Sequence, residues 1–390
     1  MQLMRFLISA GEASGELYGA GIMQALRRRV PQSQFFGVGG QKMRDTGFET
    51  VVDAHDISVV GLAEVVKHLP MIRREFKKLV SEAERRKPDA AILIDFPDFN
   101  LRLARELHRL NIPVIYYVSP QLWAWRKGRI RQVQKYVSKM LVIFPFEEEF
   151  YREHGVQAEY VGHPLADEPP PNITRETFAA ENNLSLEKIW IAVLPGSRRK
   201  EVSLNLPGLL DTVRLLDNDG TQFILPVASS LDPEWLRSLI PSNAPVTLVR
   251  DARAALLHSR VGIVASGTAT VEAALIGTPL VMIYRVTPLT YLLGRRLVKL
   301  SHFAMVNLIA RREIVPEFVQ QGFVPQRVAA KVRELMTNGQ LRSDMISALK
   351  SVQAQLHSPG EGTAADRAAN AVLRTLEHEG KPRLSVQPRV

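Results

Sequence analysis

Along this chain, short continuous runs of aliphatic and β-branched residues alternate with longer stretches whose apolar positions recur every third or fourth residue. The first pattern is that of a strand buried on both faces, the second that of a helix with one buried side. The first half gives strands over residues 5–10, 89–95, 114–118 and 141–144, with helices over 17–29, 61–80, 101–110 and 146–154. A strand at 189–194 restarts the alternation, and strands at 223–227, 246–249, 261–265 and 280–284 and a last helix at 364–377 continue it. Such alternation predicts α/β domains built on parallel sheets. Residues 167–183, which include Pro169-Pro170-Pro171, read as the linker between them. The expected domains are 1–170 and 184–345, with helices in 346–380 packing back on the first.

The stretch 261–274 passes from strand to helix at Ser266-Gly267-Thr268. If Ser266 or Thr268 caps that helix, its first amides and its dipole make a site for a phosphate, and Gly267 lets a ligand approach the backbone. Glu272 follows Thr268 by one turn, on the same face, where a carboxylate accepts from both hydroxyls of a ribose. A plainer reading has Ser266 and Thr268 as ordinary caps and Glu272 as a complement to the dipole. Residues 261–284 are also about long enough to cross a bilayer. Glu272, Gly277 and Pro279 argue instead for strand, turn, helix and strand.

Other strand ends carry chemistry too. The loop Gly11-Glu12-Ala13-Ser14-Gly15-Glu16 has neither the dinucleotide fingerprint nor a P-loop lysine, and its two carboxylates suit sugar hydroxyls. Asp95 ends the strand at 89–95 and Asp98 follows it, at the edge that faces the ligand crevice in α/β sheets, although Asp98 also fits a helix cap. Trp123 and Trp125 sit beside Arg126, Lys127 and Arg129, a set suited to stacked bases or to sugar rings and phosphates. Pro195-Gly196-Ser197-Arg198 offers amides and a guanidinium to a phosphate. Asp217-Asn218-Asp219 has the form of a metal–nucleotide site, but it precedes a strand and runs into Gly220, which marks a turn. The helix over 61–80 has an apolar side with Arg73, Arg74, Lys77 and Lys78 opposite, readable as a core helix or as a membrane-resting face.

Composition narrows the classes. With 390 residues, 46% hydrophobic and 23% charged, the chain is globular and long enough for two domains. The absence of cysteine excludes disulfides and thiolate chemistry. Residues 1–10 are apolar but carry Arg5 and run into Glu12 and Glu16, so they read as a first strand and not as a signal peptide, which implies a cytoplasmic protein. Fifty Lys and Arg against 40 Asp and Glu leave a charge of +10, which favours an anionic partner: nucleic acid, anionic lipid or a phosphorylated substrate.

The motifs in their order resemble the lipid-A-disaccharide synthase family of inverting glycosyltransferases. Carrying the resemblance are Gly11-Glu12-Ala13-Ser14-Gly15, Asp95-Phe96-Pro97-Asp98-Phe99-Asn100, Tyr117-Val118-Ser119-Pro120, Trp123-Ala124-Trp125-Arg126, Gly162-His163, Leu194-Pro195-Gly196-Ser197-Arg198, Ala265-Ser266-Gly267-Thr268-Ala269 with Glu272, Tyr284-Arg285 and Asn307-Leu308. The chain departs from the family at Glu16 (Asp expected), Val306 (Pro expected) and Arg311 (Gly expected). The resemblance implies the GT-B type, two Rossmann-like domains facing a central cleft. It implies transfer from UDP-2,3-diacylglucosamine to 2,3-diacylglucosamine 1-phosphate with a β-1,6 bond, without cofactor or metal. On that reading Asp98 is the base, with Asp95 second. Gly196, Ser197, Arg198, Ser266, Gly267, Thr268, Glu272 and Asn307 hold the donor, while Glu12, Ser14, Glu16, Trp123, Trp125 and Arg126 hold the acceptor. The implied location is the cytoplasmic face of the inner membrane, peripherally on its anionic surface, with no nucleic-acid partner and a homodimer left open. The rival readings are a UDP-sugar epimerase on the same fold and a basic nucleic-acid-binding protein.

Overall fold

The computed structural model describes residues 3–57, 62–124, 127–287, 291 and 301–378. The chain forms two compact units, Met1–Asp167 with Leu356–Val390, and Glu168–Gln355. In the first, elements follow as β1 (Arg5–Ala10), α1 (Ala13–Arg29), β2 (Gln34–Gly39), α2 (Gln41–Arg44), β3 (Glu49–Asp53), α3 (Ala54–Ile57), α4 (Leu62–Arg86), β4 (Ala90–Ile94), α5 (Pro97–Arg109), β5 (Val114–Tyr117), α6 (Ile130–Tyr136), β6 (Lys139–Val142), α7 (Pro145–Glu153) and β7 (Ala158–Tyr160). In the second they are α8 (Arg175–Asn182), β8 (Ile189–Leu194), α9 (Arg199–Leu216), β9 (Thr221–Pro226), α10 (Pro233–Ser238), β10 (Val246–Val249), α11 (Ala252–His258), β11 (Val261–Ala265), α12 (Thr268–Ile276), β12 (Leu280–Tyr284), α13 (Met305–Ala310), β13 (Glu317–Val319), α14 (Pro325–Thr337) and α15 (Gly339–Leu356). A last helix, α16 (Ala364–His378), belongs to the first unit.

Both sheets are parallel and share one winding order. The first runs β3-β2-β1-β4-β5-β6-β7 and the second β10-β9-β8-β11-β12-β13. In each, the chain starts at the centre, winds outward one way and returns to wind outward the other way, the doubly wound Rossmann order. The switch points fall between β1 and β4 and between β8 and β11. These four strands are deeply buried, with Leu7, Ile8, Ile92, Ile191, Val193 and Ile263 sealed from solvent, as expected for apolar runs covered by helices on both faces.

α16 is tied to α1 by ion pairs from Arg28 and Arg29 to Asp366, at 2.8 and 2.9 Å, and Arg374 reaches Glu159 of β7. α4 is a core helix along much of its length. Leu79 and Ala83 are buried, Ile72, Phe76 and Val80 pack on the core of the first unit, and Arg73, Arg74, Lys77 and Lys78 are exposed on the opposite face. Val65 and Val66, the start of the apolar side read from the sequence, have side chains outside the described set. Among the described residues no helix is long and apolar enough to cross a membrane. The strand–turn–helix–strand reading of 261–284 is what the structure contains.

Candidate active site

At the switch point of the first unit the chain leaves β4 through a turn few sequences tolerate. Asp95 and Phe96 have φ of 44° and 47°, and Val118, just past the neighbouring β5, has φ of 62°. A β-branched residue in that region is a genuine outlier, and such strain persists only where surrounding bonds over-determine it. For the turn at Asp95 and Phe96, buried Asn100 supplies them. Its Nδ2 donates to the carbonyls of Asp95 (2.8 Å) and Ile94 (3.1 Å), and its Oδ1 accepts from the Ser9 hydroxyl of β1 (2.7 Å). The Tyr116 hydroxyl donates to the same Asp95 carbonyl at 2.6 Å. Gly11 is required as well, because a Cβ there would lie 2.5 Å from the ring of Phe96.

This turn starts α5 earlier than the sequence pattern predicts, at Pro97, whose missing N–H costs nothing at a first helical position. The cap position is Phe96, so Asp98 is not the N-cap. It lies in the first turn, near the positive end of the helix, with 67% of its side chain exposed. Arg129, only 23% exposed, donates to its Oδ1. Asp95 is half-buried beside it in sequence, with its backbone spent on the turn.

The acceptor candidates separate. α1 begins at Ala13, which puts Ser14, exposed, and Glu16 inside its first turn and makes Glu12 the cap position. Glu16 is turned toward the start of α2. Burial pushes its carboxyl up while the Lys42 amide donates to it, and its oxygens crowd the place a Cβ would occupy on Gly40. Glu16 is thus engaged in joining α1 to α2. Trp123 donates through Nε1 to Glu147 of α7 at 3.0 Å and meets Phe146 edge-on. Trp125 and Arg126 lie outside the described residues.

In the second unit, Pro195-Gly196-Ser197-Arg198 leaves β8 at the switch point. Gly196 has φ of 129°, and Arg198 is the extended residue before α9. Glu201, in the first turn of α9, accepts from the Ser197 amide (3.3 Å) and pairs with Arg198 (3.1 Å). Buried Asn205 clasps two strand ends, donating to the Pro195 carbonyl and accepting from the Arg285 amide at 3.0 and 2.9 Å. Neither Glu201 nor Asn205 stood out in the sequence; the i+3 spacing from Arg198 to Glu201 is the one signal that points to the first.

Across the switch point, Gly267 and not Ser266 or Thr268 is the cap of α12, with φ of 139° and open space where its Cβ would be. The Ser266 hydroxyl donates to the Phe303 carbonyl instead (2.8 Å), and Thr268 is the first helical residue. No side chain caps α12, which keeps its leading amides turned to an exposed loop. One turn on, Glu272 is half-buried near Glu168, Arg253 and Asp251; burial foremost, then Glu168, pushes its carboxyl up, and Arg253 opposes. Asn307 is different. Its Nδ2 donates to Val315 and Glu317 and its Oδ1 accepts from the Ile314 and Val315 amides, so its amide is fully spent on the loop after α13. In this structure Asn307 thus holds the loop between α13 and β13. Asp217-Asn218-Asp219 forms the expected turn, closed by the Gly220 amide on Asn218 at 2.8 Å.

Comparison with known proteins decides the family. The profile described as Lipid-A-disaccharide synthetase matches residues 6–372. A Lipid-A-disaccharide synthase from Koribacter versatilis is 53% identical over 382 residues, covering 97% of this chain and 100% of that one. The chain belongs to the lipid-A-disaccharide synthase family. Two solved structures match at the level of fold. A putative UDP-N-acetylglucosamine 2-epimerase from Listeria monocytogenes has a TM-score of 0.66 at 14% identity, covering 99% and 100% of the two chains. The calicheamicin glycosyltransferase CalG4 has 0.58 at 15%, covering 97% and 100%. The fold is therefore the α/β, GT-B type of such glycosyltransferases. The epimerase reading keeps only this distant likeness, whereas family membership spans nearly the whole chain.

Proposed function

We propose that this protein condenses UDP-2,3-diacylglucosamine with 2,3-diacylglucosamine 1-phosphate, giving a β-1,6-linked disaccharide 1-phosphate and UDP. The observation that carries the chemistry is Asp98: an exposed carboxylate at a switch point, fixed to a strained turn that Asn100 and Tyr116 hold. In a single displacement Asp98 takes the proton of the acceptor 6-hydroxyl while that oxygen bonds to the anomeric carbon of the donor. The bond from that carbon to the β-phosphate oxygen breaks, and UDP leaves with its electron pair. Arg198, with Ser197 and Gly196 before α9 and Ser266, Gly267 and Thr268 at the start of α12, offers a guanidinium and helix-start amides to that charge. Glu272 accepts from the ribose hydroxyls. Glu12, Ser14 and Trp123 flank the acceptor.

Both substrates carry acyl chains, so the reading includes peripheral work at an anionic bilayer on the cytoplasmic side. The exposed cations of α4 support it, because each cation near such a surface adds about 1 kcal/mol.

Asp98→Asn tests the base. Turnover is expected to fall by about two orders of magnitude with calorimetric UDP affinity retained; near-normal turnover in the folded variant removes Asp98 from the mechanism.

A further inference from the structure

Arg129 has no part in the reaction as described so far, yet its guanidinium rests on the carboxylate assigned as the base. The two partners are unequal. Asp98 exposes 67% of its side chain and Arg129 only 23%, so the cation rises from the body of the first unit to a group that faces solvent. It reaches that place from the short 3-10 turn Lys127–Arg129, ahead of α6, and a Cβ on Gly128 would meet no neighbour within 4 Å. α6 in turn packs beside α5, the helix that carries Asp98.

The pairing poses a chemical problem. A carboxylate beside a guanidinium is a weaker base than one without it, and one lone pair of its Oδ1 is committed to the N–H. The acceptor of the proposed reaction brings the remedy, because its anomeric phosphate carries more charge than a carboxylate and has three oxygens to match the guanidinium fork. The phosphate and the attacking hydroxyl sit on one sugar ring, within the swing of a single arginine side chain anchored next to the base.

We propose that Arg129 is the acceptor-phosphate residue, held on Asp98 until the phosphate of the acceptor draws it off, so that the phosphorylated sugar itself releases the base that activates its hydroxyl. The inference rests on the reading of Asp98 as base and adds a specificity device to it. A sugar without the phosphate leaves Arg129 on Asp98 and reacts slowly, so acceptor choice is built into the base and needs no separate gate.

The readout is the ratio of kcat/KM for 2,3-diacylglucosamine 1-phosphate to that for 2,3-diacylglucosamine without the phosphate, measured in the full-length protein and in Arg129→Ala. The ratio is expected to collapse by about 10- to 100-fold, the span for a lost charge-assisted hydrogen bond. Arg129→Lys, which keeps the charge without the fork, is expected to retain part of it. A ratio within threefold of the parent protein in Arg129→Ala, with an unchanged melting temperature, overturns the proposal. If that variant does not fold, Arg129→Gln is read by the same criterion. Asp98→Asn separates the two claims: normal turnover there defeats the base, while a ratio that still depends on Arg129 upholds the phosphate contact.

Discussion

The indole Nε1 of Trp123 donates to a carboxylate oxygen of Glu147 at 3.0 Å, and Glu147 keeps 1% of its surface exposed. The other oxygen accepts from the Phe144 amide at 3.1 Å. Burial pushes this carboxyl up to about 7 against the hydrogen bonds it receives, and Trp123 is the first of these. The native protein therefore holds the proton more tightly than the unfolded chain does. The stabilisation from this group is fully present below the unfolded value of about 4.5 and is lost as pH rises through about 7.

Glu147→Gln imitates the protonated form. Its melting temperature is expected to vary less than that of the parent protein between pH 5 and pH 8, which thermal unfolding across that range checks. Equal slopes in the two proteins refute the assignment. Because Trp123 depends on this carboxylate, its fluorescence is expected to follow the same titration in the parent protein and not in the variant.

For the donor, Glu272→Ala is expected to weaken UDP binding by about 1–3 kcal/mol, the range for hydroxyls left unpaired in a closed site. Calorimetric titration of UDP into the variant measures it. Unchanged affinity in a folded variant takes Glu272 out of the site and leaves its half-buried carboxyl as a neighbour of Glu168, Arg253 and Asp251.

The membrane reading is tested on the cations of α4 and not on its apolar side, because Ile72 packs on the core and its loss would unsettle the fold. Arg73 and Lys77 are exposed on α4, so Arg73→Glu with Lys77→Glu changes the surface alone. Sedimentation with vesicles of anionic phospholipid is expected to fall sharply at low salt while the melting temperature stays within about 2 °C, as for surface substitutions. Undiminished vesicle binding assigns membrane contact elsewhere.

How much of this was readable beforehand depended on whether a local rule or a tertiary contact made the decision. β1, β8, β11 and β12 begin and end where their apolar runs do, since a run buried on both faces announces itself. β2 was missed because Gly37, with φ of 138° and a Cβ position 2.2 Å from the Ile8 carbonyl, interrupts a run that close strand packing makes necessary. α8 was hidden inside the proline-rich segment read as linker, although Thr174 caps it in the ordinary way by accepting from the Thr177 amide. The start of α5 at Pro97 depends on two left-handed residues, and nothing in Asp95 or Phe96 advertises that conformation.

Site residues divide similarly. Asp98 stands out in the sequence by its place after a strand and Glu272 by its spacing to Thr268, and the roles proposed for them start from those places. Asn307 is harder to read, because a buried amide that serves four partners within the protein looks, in a sequence, like one that serves a ligand. Arg311, where glycine was expected, does stand in a glycine conformation, with φ of 54° at the end of α13. A left-handed residue at a helix end is a matter of backbone geometry, which glycine meets without strain.

Acceptor dependence of UDP release puts the proposed reaction to its most direct test. The protein is incubated with UDP-2,3-diacylglucosamine, with and without 2,3-diacylglucosamine 1-phosphate, while UDP and the lipid products are followed together. One UDP is expected per β-1,6-linked disaccharide 1-phosphate formed, with almost none released when the acceptor is left out. UDP release at the same rate without acceptor, or conversion of the donor to its epimer with no disaccharide, would contradict a single-displacement transferase.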